Sequence, residues 1–145
     1  MSELSNGGDS ADWTVFPHQT QDGRPIIVRS RLGEAGVREY AEANFMARVR
    51  CVLPRAQVTD DGMPQSTRSM DDWQDKVRAE IGEGRTYLVA VVTGAGVRDL
   101  FFAAAEDEEF VSAVSNVEGD FDFELQLARV EGPREGLLNS LTPPQ

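Results

Sequence analysis

The chain has very few of the residues that build covalent or metal-dependent sites. Its 145 residues include one cysteine, one histidine and one lysine. Cys51 alone cannot form an internal disulfide, and a zinc site of the ordinary kind needs three or four Cys or His ligands. A Ser-His-Asp or Cys-His catalytic unit would have to use His18. We therefore expect no metal, no cofactor and no nucleophilic triad.

Long hydrophobic runs are also missing. No apolar stretch approaches the roughly 18 residues that a membrane-spanning helix requires, and residues 1–12 have neither the basic start nor the apolar centre of a signal peptide. Together with the single cysteine, this composition predicts a cytoplasmic protein without a membrane partner. The length predicts one domain over 13–130, with flexible tails at 1–12 and 131–145.

Positive charge is scarce, since the net charge is -11 and the isoelectric point is about 4.4. An acidic surface repels phosphate backbones and anionic lipids, so we expect no binding to nucleic acids. The charge is unevenly distributed: residues 24–55 contain seven arginines and three acids, whereas 99–124 contain nine acids and no Lys or Arg. These segments either neutralise each other in the fold or leave an acidic face for a basic partner.

Hydrophobic periodicity predicts six strands and two helices. Residues 44–53 alternate with period two and place Cys51 on an apolar face, while 69–81 carry an apolar stripe at helical spacing that includes Trp73. Ser69 and Asp72 are spaced like a capping box at the start of this helix. Residues 33–43 are either a loop or a helical turn. The strands are predicted at 13–20, 25–32, 44–53, 85–93, 97–103 and 121–130, and the helices at 69–81 and 106–115.

This order predicts an α+β fold. Without the first hairpin, which turns at Asp22-Gly23, the order is βαββαβ, that of a ferredoxin-like two-layer sandwich. Both helices would then cover one face of an antiparallel sheet. The strand at 44–53 would lie beside the last strand. Arg48 and Arg50 would then face Asp122, Glu124 and Gln126 on the uncovered face, which predicts cross-strand ion pairs.

Several short motifs are spread along the chain: Trp13, Asp22-Gly23 with Pro25, Asp61-Gly62-Met63-Pro64, Asp71-Asp72, Thr93-Gly94 and Phe101-Phe102. With these motifs the chain resembles, over about residues 12–130, the bacterial family catalogued as domain of unknown function 695. Such domains look to be joined at times to one similar to RraB, the ribonuclease E inhibitor, which itself looks ferredoxin-like. The family carries no assigned function, so the resemblance implies a fold and no catalytic residues.

The acidic late half suggests a non-enzymatic protein-binding or regulatory domain with a basic partner. A toxin-neutralising immunity protein and a regulator of an RNA-processing enzyme are two concrete versions. Helix capping accounts for the acids of 106–109 and cross-strand pairing for Asp122 and Glu124, whereas Asp99, Glu118 and Asp120 have no evident local partner. Residual negative charge is therefore expected around the second helix and the loop after it, in an acidic rim that we define as Asp107, Glu108, Glu118 and Asp120.

The alternative is a small-molecule-binding domain or a weak enzyme that uses the polar loop at 54–67. Its pocket would combine Asp60 or Asp61 from the loop with Arg48 or Arg50 from the sheet. A well-formed pocket with convergent polar groups would favour this alternative. A flat surface there would favour the binding domain. Cys51 and His18 are expected to be a buried small hydrophobe and an edge-strand surface residue, respectively.

Overall fold

A computed structural model describes residues 13–81, 86–121 and 123–142. The expected tail at 1–12 and the acid Asp122 lie outside this part of the chain. The described residues form, in order, β1 (Thr14–Gln19), β2 (Pro25–Ser30), α1 (Val37–Ala43), β3 (Phe45–Val52), α2 (Arg68–Ile81), β4 (Thr86–Gly94), β5 (Val97–Ala104), α3 (Asp107–Val117), β6 (Glu124–Arg129) and α4 (Glu135–Leu141). The expected α+β class is confirmed.

The six strands form one antiparallel sheet in the order β1-β2-β4-β5-β3-β6. Two hairpins, β1–β2 and β4–β5, join strands that are neighbours in sequence. The first turns at Gly23, where the positive φ of 83° suits a residue without a Cβ. The expected pairing of β3 with the last strand is confirmed, and β1 and β6 are the two edges.

One face of the sheet, here called the front face, packs against α2 and α3. Its core consists of alternate residues of β3 and β5 together with the helix stripes, and it includes Cys51, Trp73 and Phe110. The Trp73 indole is buried, donates a hydrogen bond of 2.7 Å to the Val117 carbonyl and packs against the Phe121 ring. The expected apolar faces of 44–53 and 69–81 are therefore confirmed.

The opposite face, here called the back face, is not left uncovered as the two-layer expectation had it. Helices α1 and α4 pack on it and bury a second core that includes Val37, Ala41, Leu138 and Leu141. The expected flexible tail at 131–145 thus contains a docked helix over Glu135–Leu141. Both helices have only seven residues, too few for a clear helical period, and tertiary burial rather than intrinsic propensity stabilises helices this short.

Helix boundaries differ slightly from the sequence prediction. Helix α2 starts one residue early, and the hydroxyl that bonds its first turn belongs to Thr67, which donates to the Asp71 carboxylate at 2.8 Å. The spacing of Ser69 and Asp72 therefore placed the helix start one residue late. No helix in the described part of the chain is long and apolar enough to cross a bilayer.

Candidate functional site

Helix α3 positions the first two acids of the acidic rim. Its buried residues are Phe110, Ala113, Val114 and Val117, so one side of the helix is fixed against the front core. Asp107 and Glu108 in the first turn therefore lie outside that core, where the helix dipole favours negative charge. The two carboxylates then differ in their surroundings.

Asp107 is paired with the end of β6. Its Oδ2 lies 3.0 Å from Nη2 of Arg129, and the Arg129 guanidinium also lies over the Phe45 ring, 5.2 Å from its centroid. Both partners of the ion pair are more than one-third exposed, so the pair contributes little to stability. The ion pair does neutralise the Asp107 carboxylate, which is therefore the least available of the four rim carboxylates for binding a partner.

Glu108 borders a shallow cleft between α2 and α3. Two further glutamates, Glu80 and Glu109, line the same cleft, and the other described lining residues, Ser112, Ala113 and Asn116, carry no charge. The Asn116 amide donates a hydrogen bond of 2.7 Å to Glu80. Because Glu80 and Glu108 share one cleft and its described lining residues include no Lys or Arg, the negative potentials of these two carboxylates add up there.

Glu118 and Asp120 belong to a 3-10 turn, Glu118–Asp120, directly after α3. Both side chains are exposed, and within the described ranges neither forms an ion pair. The turn is held at both ends, because the Val117 carbonyl accepts the Trp73 indole and Phe121 packs on the Trp73 ring. The fold therefore holds these two carboxylates in place on the surface.

The loop of the alternative pocket is docked on the β4–β5 turn. Asp60 and Asp61 are exposed. The carbonyl of the next residue, Gly62, accepts a 2.7 Å hydrogen bond from the Gly96 N–H. A Cβ at Gly62 would lie 2.9 Å from the Ala95 backbone, so only glycine allows this close approach. The loop carboxylates thus project from a turn at the end of a hairpin.

Arg48 and Arg50 lie on the back face, as expected, but their partners differ from the prediction. The strand register places Gln126 opposite Arg50 on β6, as predicted, and Ala128 opposite Arg48, so neither arginine lies directly across from an acid of β6. Arg50 instead binds Asp99 of β5 with two hydrogen bonds of 2.8 and 3.0 Å.

Donating these hydrogen bonds to Asp99 raises the pKa of the Arg50 guanidinium. Asp99 is itself buried, so Arg50 is the structural partner of a buried carboxylate. This pair contains neither loop carboxylate of the alternative pocket.

The Arg48 guanidinium has no such partner. Its Nε is buried without a hydrogen-bond acceptor, and it is the one side-chain atom of this kind among the described residues. The side chain is half-buried between positions occupied by Phe101 of β5 and Ala128 of β6, neither of which can accept a hydrogen bond through its side chain. An unpaired buried donor of this type costs stability.

The two residues that nucleophilic chemistry would use first are far apart. Cys51 is fully buried, which confirms the expectation, and burial raises the pKa of its thiol to about 12. His18 is exposed on the edge strand β1. Four strand spacings separate β1 from β3 in the sheet, about 19 Å at the usual spacing.

A buried polar network at the other end of the front core was not predicted. Arg98 of β5 donates hydrogen bonds to Thr93 (3.0 Å), Asp71 (2.6 Å) and Gln74 (3.3 Å), and it is buried. It ties the start of α2 to the β4–β5 hairpin. The alternation of the strand at 97–103 places Arg98 on the same face as the apolar Leu100 and Phe102. This pattern could have predicted that the Arg98 guanidinium is buried and hydrogen-bonded to other side chains.

Over the described ranges, no three His, Cys, Asp or Glu side chains converge as metal ligands would. No curated protein and no solved structure matches the chain. A family model does match, over residues 11–129, and its description is a family of unknown function, DUF695. The match covers most of the chain and agrees with the resemblance predicted for 12–130. The chain therefore belongs to the DUF695 family.

Proposed function

We propose that the protein is a non-enzymatic binding domain whose acidic rim receives a partner protein with a basic surface. The observation that carries this proposal is the α2–α3 cleft, where the carboxylates of Glu80 and Glu108 lie together and the described lining residues include no Lys or Arg. Glu118 and Asp120 extend the same negative surface beyond the end of α3.

The physical consequence is electrostatic steering. A negative surface on a protein of net charge -11 attracts a cationic partner over about 8–10 Å at physiological ionic strength, and this attraction falls as salt rises. Charged rims of this kind act mainly on the association rate and on the choice of partner. A cationic toxin and a basic RNA-processing enzyme are the two partner classes that fit this chemistry.

The placement of the reactive side chains supports a binding role over catalysis. Cys51 is a buried thiol with a raised pKa and His18 lies several strands away, so the two cannot act as a nucleophile and its base. The unpaired state of the single buried cysteine also supports the proposed cytoplasmic location.

We further propose that the domain is ferredoxin-like, extended by the β1–β2 hairpin and by the back-face helices α1 and α4. The support is that β6-β3-β5-β4 are consecutive in the sheet and all antiparallel, with α2 and α3 sharing one core. This is the strand order of a split βαβ unit. An experimental structure with α2 and α3 on opposite faces would remove this classification.

The test of the binding proposal is capture from a native lysate with two matched variants. One neutralises the acidic rim by Asp→Asn and Glu→Gln changes. The control neutralises four exposed acids elsewhere, at Glu39, Asp60, Asp61 and Glu131. Both variants lose four negative charges, so non-specific effects of net charge are equal.

We expect the captured protein to be lost with the rim variant and retained with the control, with circular dichroism confirming that both variants are folded. Equal capture by the two variants would mean that the acidic rim serves solubility alone.

A further inference from the structure

The two edges of the sheet differ in their capacity to accept another strand. Edge strand β1 contains Pro17, which has no N–H and so interrupts any ladder along that edge. Edge strand β6, Glu124–Arg129, contains no proline and pairs with β3 on one side only. Its other side therefore presents an uninterrupted row of backbone donors and acceptors.

An apolar cleft lies beside this open edge. Between α3 and β6 the side chains of Phe45, Phe110, Val111 and Leu127 line a cavity of about 160 Å³. Leu127 is 47% exposed and Val111 38% exposed. In the described part of the chain just one other large hydrophobic side chain, Val15 on β1, is comparably exposed, so the exposed apolar surface concentrates at β6.

The charges around the cleft indicate the sign of its occupant. Asp107 and Arg129 pair with each other at one end of β6, and Arg129 also lines the cleft, so this pair adds no net charge there. Glu124 is exposed at the other end of the strand and supplies the negative charge of this edge. A cationic segment is complementary in charge to this edge of the sheet. A second copy of the chain would bring two acidic rims and two net charges of -11 together, which opposes self-association.

We infer that an extended, cationic segment of the partner protein adds to the sheet as a further strand along β6. Its backbone would pair with β6, one apolar side chain would enter the cleft beside Leu127 and Val111, and a Lys or Arg would lie across from Glu124. Strand addition of this kind draws affinity from main-chain hydrogen bonds and specificity from pockets for alternate side chains. The inference rests on the proposed function, because the segment belongs to the partner that the acidic rim attracts.

The experiment selects twelve-residue peptides from a random displayed library on the immobilised full chain, and then measures their binding to matched variants. Leu127→Gln removes the apolar contact at β6, and Val15→Gln makes the same kind of change at the proline-bearing edge β1. Both side chains are exposed and neither belongs to the front or the back core, so neither change removes a core residue. Amide exchange, read residue by residue, locates the peptide on the sheet.

We expect the enriched peptides to alternate apolar residues with Lys or Arg and to lack proline. Leu127→Gln should weaken their binding by about tenfold or more, the effect of removing a central apolar contact. Val15→Gln should leave binding unchanged, and amides of Glu124–Arg129 should gain protection. Failure to enrich any peptide, equal binding by the two variants, or protection at β1 would overturn the inference. A dimer in sedimentation that Leu127→Gln dissociates would assign the edge to a second copy instead, and would overturn it too.

The two proposals fail separately in this design. If neutralising the acidic rim abolishes capture of the partner and Leu127→Gln leaves that capture intact, the partner binds the rim without adding a strand. If Leu127→Gln abolishes capture and the rim variant does not, strand addition stands and the role of the rim falls.

Discussion

Replacing Arg50 or Arg48 by methionine should have opposite effects on stability, although the two arginines are two residues apart on the same face of β3. Methionine keeps an unbranched stem that fills similar space and removes the guanidinium. In Arg50→Met the buried Asp99 carboxylate loses both hydrogen bonds that it receives from Arg50. In Arg48→Met the buried, unpaired Nε is removed.

The magnitude follows from burial. Breaking a fully buried ion pair by removing one partner costs about 3–5 kcal/mol. The Arg50 side chain is 32% exposed and that of Asp99 is 12% exposed, so water screens part of the loss. We expect Arg50→Met to lower the free energy of unfolding by about 2–3 kcal/mol. Removing an unsatisfied buried donor recovers part of a cost of about 1–3 kcal/mol, so Arg48→Met should be neutral or stabilising by about 1 kcal/mol.

The assay is urea unfolding followed by circular dichroism, with Arg55→Met as the control. Arg55 is exposed in the 3-10 turn Arg55–Gln57, so its replacement should change the free energy of unfolding by no more than about 0.5 kcal/mol. All three variants lose one positive charge, and equal m values would show that unfolding exposes the same surface. A loss from Arg48→Met as large as that from Arg50→Met would refute the reasoning about partners on the back face.

Three further outcomes are expected. Trp73→Ala should cost about 3–5 kcal/mol in urea unfolding, because the ring is core, and a loss under about 1 kcal/mol would mean that it is exposed. Cys51 should react slowly with a thiol reagent at pH 8 in the native state and rapidly after denaturation, since burial raises the pKa of the thiol to about 12; rapid native labelling would contradict the strand register. Filter binding should detect no RNA or DNA affinity that persists at physiological salt, and submicromolar binding there would overturn the charge argument.

The sequence predicted the central elements of the fold because their signals are local. The predicted strand 44–53 is one residue longer than β3 at each end, and the predicted strand 97–103 ends one residue before β5 does. The agreement is this close because each strand alternates clearly and is bounded by turn residues. Strand β6 begins three residues later than predicted, because the Phe121 side chain packs in the front core before the strand starts.

The back face could not be predicted in the same way. Helices α1 and α4 are too short to show a period, and their burial depends on a sheet face that exists only after the strands assemble. The partner of Arg50 was missed for a related reason. Strand β3 has two neighbours, and the sequence order alone did not reveal that Asp99 of β5, rather than an acid near β6, lies opposite. The acidic rim could be proposed from the sequence because it needs only helix geometry, whereas the cleft that joins Glu108 to Glu80 needs the packing of α2 against α3.

The most direct test of the acidic rim as a partner site places a photo-crosslinking amino acid at Ser112, inside the α2–α3 cleft, and at Ala56 as the control. Both positions are exposed and lie on different parts of the domain. After irradiation in a native lysate, mass spectrometry identifies the proteins attached at each position. The account predicts a basic protein cross-linked from Ser112 and not from Ala56, and loss of that product when the acidic rim is neutralised. Identical products from both positions, or a Ser112 product that persists in the neutralised variant, would contradict it.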